Sequence, residues 1–161
     1  MRILVTAASR YGATAEIADA MAEALGEAGH DTTVLAAGEV TDVDGYDAAV
    51  IGSAVYAGHW LDAAKQLVTS QAEALRARPV WLFSSGPIGD PPKPAEDPVD
   101  AAEMIEASGA RDHKVFAGKL DRAKLRFAEK AVVVALRAPE GDFRDFEEIR
   151  AWASDIARHL R

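Results

Sequence analysis

The chain has no cysteine among its 161 residues. Disulfide staples, thiolate nucleophiles, cysteine-ligated metals and iron–sulfur clusters are therefore excluded. Long apolar runs are missing too, since none approaches the roughly 18 residues of a membrane-spanning helix. Met1-Arg2 leads straight into an apolar strand, with no charged leader, apolar core or cleavage site, so a cytoplasmic protein is expected. Positive charge is in short supply: 18 Lys and Arg face 26 Asp and Glu, for a formal net charge of −8. That balance argues against nucleic acid as a partner and suits an acidic electron-transfer surface. Glycine is sparse near the start, where Gly12 alone lies between Val5 and Thr14. Neither the dinucleotide pattern G-x-G-x-x-G nor the P-loop pattern G-x-x-x-x-G-K-[ST] is present.

What remains is the composition of an ordinary globular domain, 49% hydrophobic and 27% charged, of a length that fits one domain spanning residues 1–161. Charge is unevenly spread. Between Arg111 and Lys130, seven Lys/Arg against three Asp/Glu leave +4, so the rest of the chain carries −12. Such a patch suits an anionic partner, a peripheral membrane contact or an acid-bearing substrate; a solvated face is the plainer alternative.

Periodicity gives alternating strands and helices. Ile3-Leu4-Val5 starts a strand, and Ile17, Met21 and Leu25 mark a helix ending near Gly26 and Gly29. Thr32–Leu35 is a second strand, followed by an acidic loop from Gly38 to Gly45 that Val40 and Val43 anchor. Ala48–Ser53 is apolar on both faces, as a central parallel strand must be. Leu61 to Arg76 reads as one helix, Pro79–Ser85 as a fourth strand, Ala101–Ala107 as a short helix and Lys114–Gly118 as a fifth strand. Five of the seven prolines fall between Pro87 and Pro98, which makes Gly86–Pro98 a stiff loop able to act as a lid. Lys119–Leu136 fits both helix and strand and is read as mostly helical. A helix through Phe146, Ile149, Ala153, Ile156 and Leu160 closes the chain, with Asp145 and Glu148 as an acidic capping box. Alternation of this kind implies a parallel sheet covered on both faces, with ligands beyond the carboxyl ends of the strands.

The loops at those ends are unusual. After the first strand, Thr6, Ser9 and Thr14 offer hydroxyls, Gly12 lets backbone turn close to a ligand, and a helix N-terminus follows, which favours an anion. An ordinary strand-to-helix turn with Thr14 as its cap is the alternative. After the third strand, Gly52-Ser53-Ala54-Val55-Tyr56-Ala57-Gly58-His59-Trp60 sets an aromatic among small residues, which suits a flat ring. Tyr56 is the candidate for stacking, with a half-buried loop aromatic as the alternative, and Trp60 is expected to pack in the core. His59 could pass a proton to a ligand, although a solvent-facing or helix-capping histidine is commoner. After the fourth strand, Ser84-Ser85-Gly86-Pro87-Ile88-Gly89-Asp90 is rich in Gly, Ser and Pro, as loops after strands commonly are.

The segment Ala8-Ser9-Arg10-Tyr11-Gly12-Ala13-Thr14 resembles the phosphate loop of flavodoxins, and is similar to the S-T-R-x-G-x-T loop of flavodoxin-like menaquinone-dependent protoporphyrinogen oxidases. Ala8 departs from that pattern by lacking a hydroxyl. Ile51-Gly52-Ser53-Ala54-Val55-Tyr56-Ala57-Gly58-His59 resembles the I-G-A-S-I-x-x-G-H of the same oxidases, and Asp145-Phe146-Glu147-Glu148-Ile149 their D-W-E-Q-V. The Arg- and aromatic-rich insert of those enzymes has no counterpart between Lys119 and Glu140. The resemblance implies a doubly wound α/β flavodoxin-like fold, five parallel strands in order 2-1-3-4-5, and one FMN. Its phosphate would meet Thr6, Ser9, Arg10, Tyr11, Gly12, Ala13 and Thr14. Its isoalloxazine would border Ser53, Ala54, Val55, Tyr56, Ala57 and Gly58 on one side and Ser84, Ser85 and Gly86 on the other. Oxidation of a porphyrinogen with a quinone as acceptor is the activity the resemblance favours. An electron carrier serving a redox partner protein, and a flavin-free interaction module, remain open; no metal is expected.

Overall fold

The computed structural model describes residues 1–56, 58–86, 98, 100–120 and 141–160. The body of the expected lid, 87–97, and residues 121–136 of the ambiguous stretch lie outside the described residues.

Five parallel strands form the sheet: β1 (Arg2–Ala8), β2 (Asp31–Ala36), β3 (Ala48–Tyr56), β5 (Val80–Ser85) and β6 (Asp112–Phe116). They run β2-β1-β3-β5-β6, the 2-1-3-4-5 order expected. β1 pairs with β2 through Val5↔Val34 and with β3 through Val5↔Val50, and β3 pairs with β5 through Ile51↔Leu82. Alternate residues divide the apolar strands between two cores. Ile3, Val5, Val50, Phe83 and Phe116 pack under α1 (Ala13–Glu27) and α5 (Phe146–His159). Leu4, Ile51, Val80 and Leu82 pack under α2 (Asp62–Ser70), α3 (Ala72–Arg76) and α4 (Ala101–Ser108).

Gly52 makes the first core possible. Phe83 is fully buried, edge-on to Phe116 and Trp152 at 6.2 and 6.5 Å, and its ring lies against the Gly52 Cα, where a Cβ would meet ring carbons at 2.1–2.3 Å.

Four expectations need correction. The helix expected over Leu61–Arg76 breaks at Gln71 (φ −107°, ψ 15°), whose amide oxygen leaves the helix surface to accept the Val43 N–H at 3.3 Å. The third strand runs on to Tyr56 because the chain then reverses and pairs back antiparallel as β4 (His59–Trp60). The fifth parallel strand is Asp112–Phe116 rather than Lys114–Gly118. Gly118 has left the ladder to pass against the Gly86 backbone, 3.2 Å from where its Cβ would be. Lys119–Leu120 is strand (β7), paired with β8 (Gly141–Asp142), so a long-range partner overrides the local helical preference. The expected cap of α5 is present in its first half: Asp145 accepts the Glu147 and Glu148 N–H groups at 3.1 and 3.2 Å.

Candidate functional site at the strand ends

β1 ends at Ala8, and after four intervening residues α1 begins at Ala13. The N-cap is Gly12, not Thr14, because the turn needs φ 91°, which glycine adopts without steric cost. Gly12 donates its N–H to Ser9 Oγ at 3.0 Å and accepts from the Glu16 N–H at 3.1 Å. Being glycine, the N-cap residue brings no side-chain cap of its own. Thr14 sits inside the first turn and is buried, and Ala13 lies half-buried beside it. Thr6 is elsewhere. It is fully buried in the middle of β1 between Leu35 and Ile51, and its hydroxyl has no partner among the described residues.

The second loop is a tight hairpin, with Gly58 (φ 82°) in its turn and Tyr56 opposite His59. Three bonds pin its returning arm: Trp60 N–H donates to Asp100 Oδ2 (2.9 Å), the Trp60 indole N–H to Ser84 Oγ (2.8 Å), and Leu61 N–H to Ser53 Oγ (2.9 Å). Trp60 is thus a core residue, as expected, and also an anchor. Ser53 and Ser84 spend their hydroxyls within the fold, because Ser53 also donates to the Ala54 carbonyl and Ser84 shares a 2.7 Å bond with His113 Nε2. Ala54 is buried and Val55 half-buried; Ala57 lies outside the described residues.

The first and second loops meet through aromatic side chains. Tyr11 is edge-on to Tyr56 at 6.5 Å, and the Arg10 guanidinium stands 4.6 Å over the Tyr56 ring. Ser85 extends β5 alongside Ala54 and Phe116, and Gly86 follows, where a Cβ would crowd Val55 at 3.0 Å. All three loops therefore leave the same, carboxyl-terminal end of the parallel sheet.

Two groups escaped the sequence reading. Asp100, at the foot of α4 and nearly buried, accepts from Trp60 N–H, lies 3.2 Å from His59 Nδ1 and 3.7 Å from Lys65 Nζ. Burial raises its pKa, but the Trp60 N–H, His59 and Lys65 outweigh that and hold it below 3.8. Arg144, with 4% of its side chain exposed, grips Asp142 at 2.7 and 2.9 Å, Glu16 at 3.3 Å and the Ala13 carbonyl at 3.1 Å, tying the chain before α5 to the first turn of α1. Both lie far in sequence from their partners, and only the short spacing Asp142–Arg144 was a local signal.

The Arg144 hydrogen bond lowers the Asp142 pKa below 3.8 despite burial. Since the folded value is the lower one, Asp142 contributes stability above about pH 4 and loses it as pH falls through the folded value. Asp142→Asn is expected to cost about 1 kcal/mol at pH 7, discounted for the half-open carboxylate, and to leave a smaller loss between pH 5 and 2 than in the parent. Denaturant unfolding at several pH values checks this; equal acid lability of parent and variant would exclude the role.

A helix N-terminus opened by a positive-φ glycine offers first-turn N–H donors to an anion, and the Tyr11–Tyr56 pair beside it provides aromatic surface. These features fit a phosphate-tailed flat ring. A flavodoxin domain model matches residues 4–147, and the chain belongs to this family, whose cofactor is FMN. Solved structures agree on the fold. An archaeal flavodoxin is 17% identical and superposes with a TM-score of 0.68 over 99% of each chain, and flavodoxin 1 of Bacillus cereus is 14% identical with a TM-score of 0.66 over 100% of each. Rubredoxin oxygen:oxidoreductase of Desulfovibrio gigas, 14% identical, matches with a TM-score of 0.66 over 99% of this chain but 36% of its own. No curated protein matches the sequence. Among the described residues no helix is long and apolar enough to cross a membrane, and no cluster of metal-ligating side chains occurs.

Of the basic stretch Arg111–Lys130, the described part is partly committed: Arg111 lies 5.4 Å over the Trp81 ring and Lys114 pairs with Glu148 at 3.6 Å. Arg122, Lys124, Arg126 and Lys130 lie outside the described residues.

Proposed function

We propose that this protein holds one FMN non-covalently and passes electrons between it and a redox partner protein. The observation that carries the reading is the N-terminus of α1, opened by the positive-φ Gly12, set beside the Tyr11–Tyr56 pair. When bound, FMN supplies the one- and two-electron chemistry. The chain supplies the rest. First-turn N–H groups with Ser9 and Thr14 hold the phosphate, Tyr56 faces the ring, and backbone of Ala54–Gly58 and Ser84–Gly86 meets its polar edge. Ser53 and Ser84 act from beneath, by fixing the hairpin rather than by touching the ring with their hydroxyls. The net charge of −8 suits docking to a basic partner surface.

Titration with FMN tests the reading, with flavin absorbance and fluorescence expected to change on binding; unchanged spectra at tens of micromolar protein would leave the flavin-free interaction module. Thr14→Ala is expected to weaken FMN by about tenfold to a hundredfold, because a hydroxyl bond to a charged phosphate contributes about 1.5 to 3 kcal/mol. Riboflavin, which lacks the phosphate, should lose little. Equal weakening of both ligands would remove Thr14 from the phosphate site.

A second reading, a quinone- or porphyrinogen-linked oxidoreductase of cytoplasmic location, rests on Ser9-Arg10-Tyr11-Gly12-Ala13-Thr14 and Gly58-His59. It requires oxidation of protoporphyrinogen, with FMN and a menaquinone analogue present, faster than in a protein-free control.

A further inference from the structure

The hairpin β3–β4 and the start of α4 are joined by a His59–Asp100 dyad. Asp100 Oδ2 accepts the Trp60 backbone N–H at 2.9 Å and lies 3.2 Å from His59 Nδ1. The carboxylate is almost buried, whereas the His59 side chain is 53% exposed. A buried, ionised acceptor at Nδ1 fixes the ring's orientation and makes Nδ1–H the favoured neutral tautomer, which turns Nε2 toward solvent and leaves it able to take or give a proton. The support is stiff. Trp60 is tied by its backbone to Asp100 and by its indole to Ser84, Leu61 is tied to Ser53, and Lys65 at 3.7 Å adds a cation to the carboxylate. His59 stands directly across the hairpin from Tyr56, the residue under Arg10 and against Tyr11.

We infer that His59 is the proton-transfer group of this site and that Asp100 is its positioning residue. The inference rests on the FMN reading. With FMN bound, two electrons arriving from the reducing partner protein would be matched by one proton that His59 would give from Nε2 to the flavin ring and then regain from water. In the oxidative direction, as the electrons leave for an accepting partner protein, His59 would take that proton back and return it to water. Charges facing the imidazole from the described elements are Asp100 and, through it, Lys65 of α2, with Arg10 on the far side of Tyr56.

The test compares the parent, His59→Gln and Asp100→Asn. In the flavin-free parent at high pH, nitrogen NMR should find the His59 proton on Nδ1; a proton on Nε2 would overturn the orientation. In FMN-loaded protein mixed rapidly with dithionite, the reduction rate of the parent should fall as pH rises. His59→Gln, with flavin still bound, should be at least about tenfold slower at low pH and lose that pH dependence, since general acids contribute about 10² to 10⁴ in rate. Asp100→Asn should fall between the two. A His59→Gln profile that follows the parent overturns the proton role while leaving FMN binding intact, and failure of the parent to bind FMN overturns both readings together.

Discussion

Gly52→Ala is expected to destabilise the fold by about 3 kcal/mol, the upper end of the usual cost of overpacking a core. The added methyl would fall 2.1 Å from the tip of the Phe83 ring, and the ring has nowhere to go. Phe83 is fully buried and boxed in by Phe116 and Trp152, which are themselves 5.6 Å apart. β3 cannot yield either, because it lies between β1 and β5 in the middle of the sheet. For a domain of this size the loss corresponds to about 6–12 °C in Tm. Calorimetry or denaturant unfolding measures it, and a drop below about 1 kcal/mol would mean that the contact relaxes at little cost. On a Phe83→Leu background the same substitution should cost less than it does alone, since the atoms it strikes are gone; full additivity would place the damage elsewhere.

Ser9→Asp should act in opposite directions on the flavin-free and FMN-bound protein. A carboxylate at the mouth of α1 can accept the Gly12 N–H as Ser9 Oγ does and meets the positive end of the helix, which favours the flavin-free fold by about 0.3–1 kcal/mol. For FMN the same charge is a rival anion. The phosphate carries about −1.5 to −2, and two unit charges roughly 5 Å apart at an effective dielectric of about 20 repel by about 3 kcal/mol. FMN affinity is therefore expected to fall by about a hundredfold or more, with riboflavin nearly unaffected and Tm unchanged or raised. A variant that binds FMN as the parent does would move the phosphate away from this turn.

The sheet order was legible because the three central strands β1, β3 and β5 are apolar on both faces and each strand is followed by a helical stripe or a turn signal. Val50 and Ile51 point into opposite cores, and neither tolerates a polar residue. The three strand-end loops were legible for a related reason: small residues, hydroxyls and aromatics there serve no packing periodicity. What stayed hidden depends on distant partners. β4 is two residues long, and His59-Trp60 has no strand signature until Val55 and Tyr56 lie opposite it. Lys119-Leu120 carries helical propensity and becomes strand through Gly141 and Asp142. Ser53 and Ser84 looked like ligand donors because sequence shows a hydroxyl but not what it already bonds. Asp100 gave no signal, being 40 residues from the Trp60 N–H that it accepts.

The division of the two cores sets an order in time. Every strand of the parallel sheet has been synthesised once Phe116 leaves the ribosome, and the face under α2, α3 and α4 can close soon after. The other face cannot. Phe83, Phe116 and the inner side of α1 wait for Ile149, Trp152, Ala153 and Ile156 on the last helix. A nascent chain paused before α5 thus carries a finished sheet with an aromatic flank open to solvent, a surface for chaperones or for another chain in the same condition to cover.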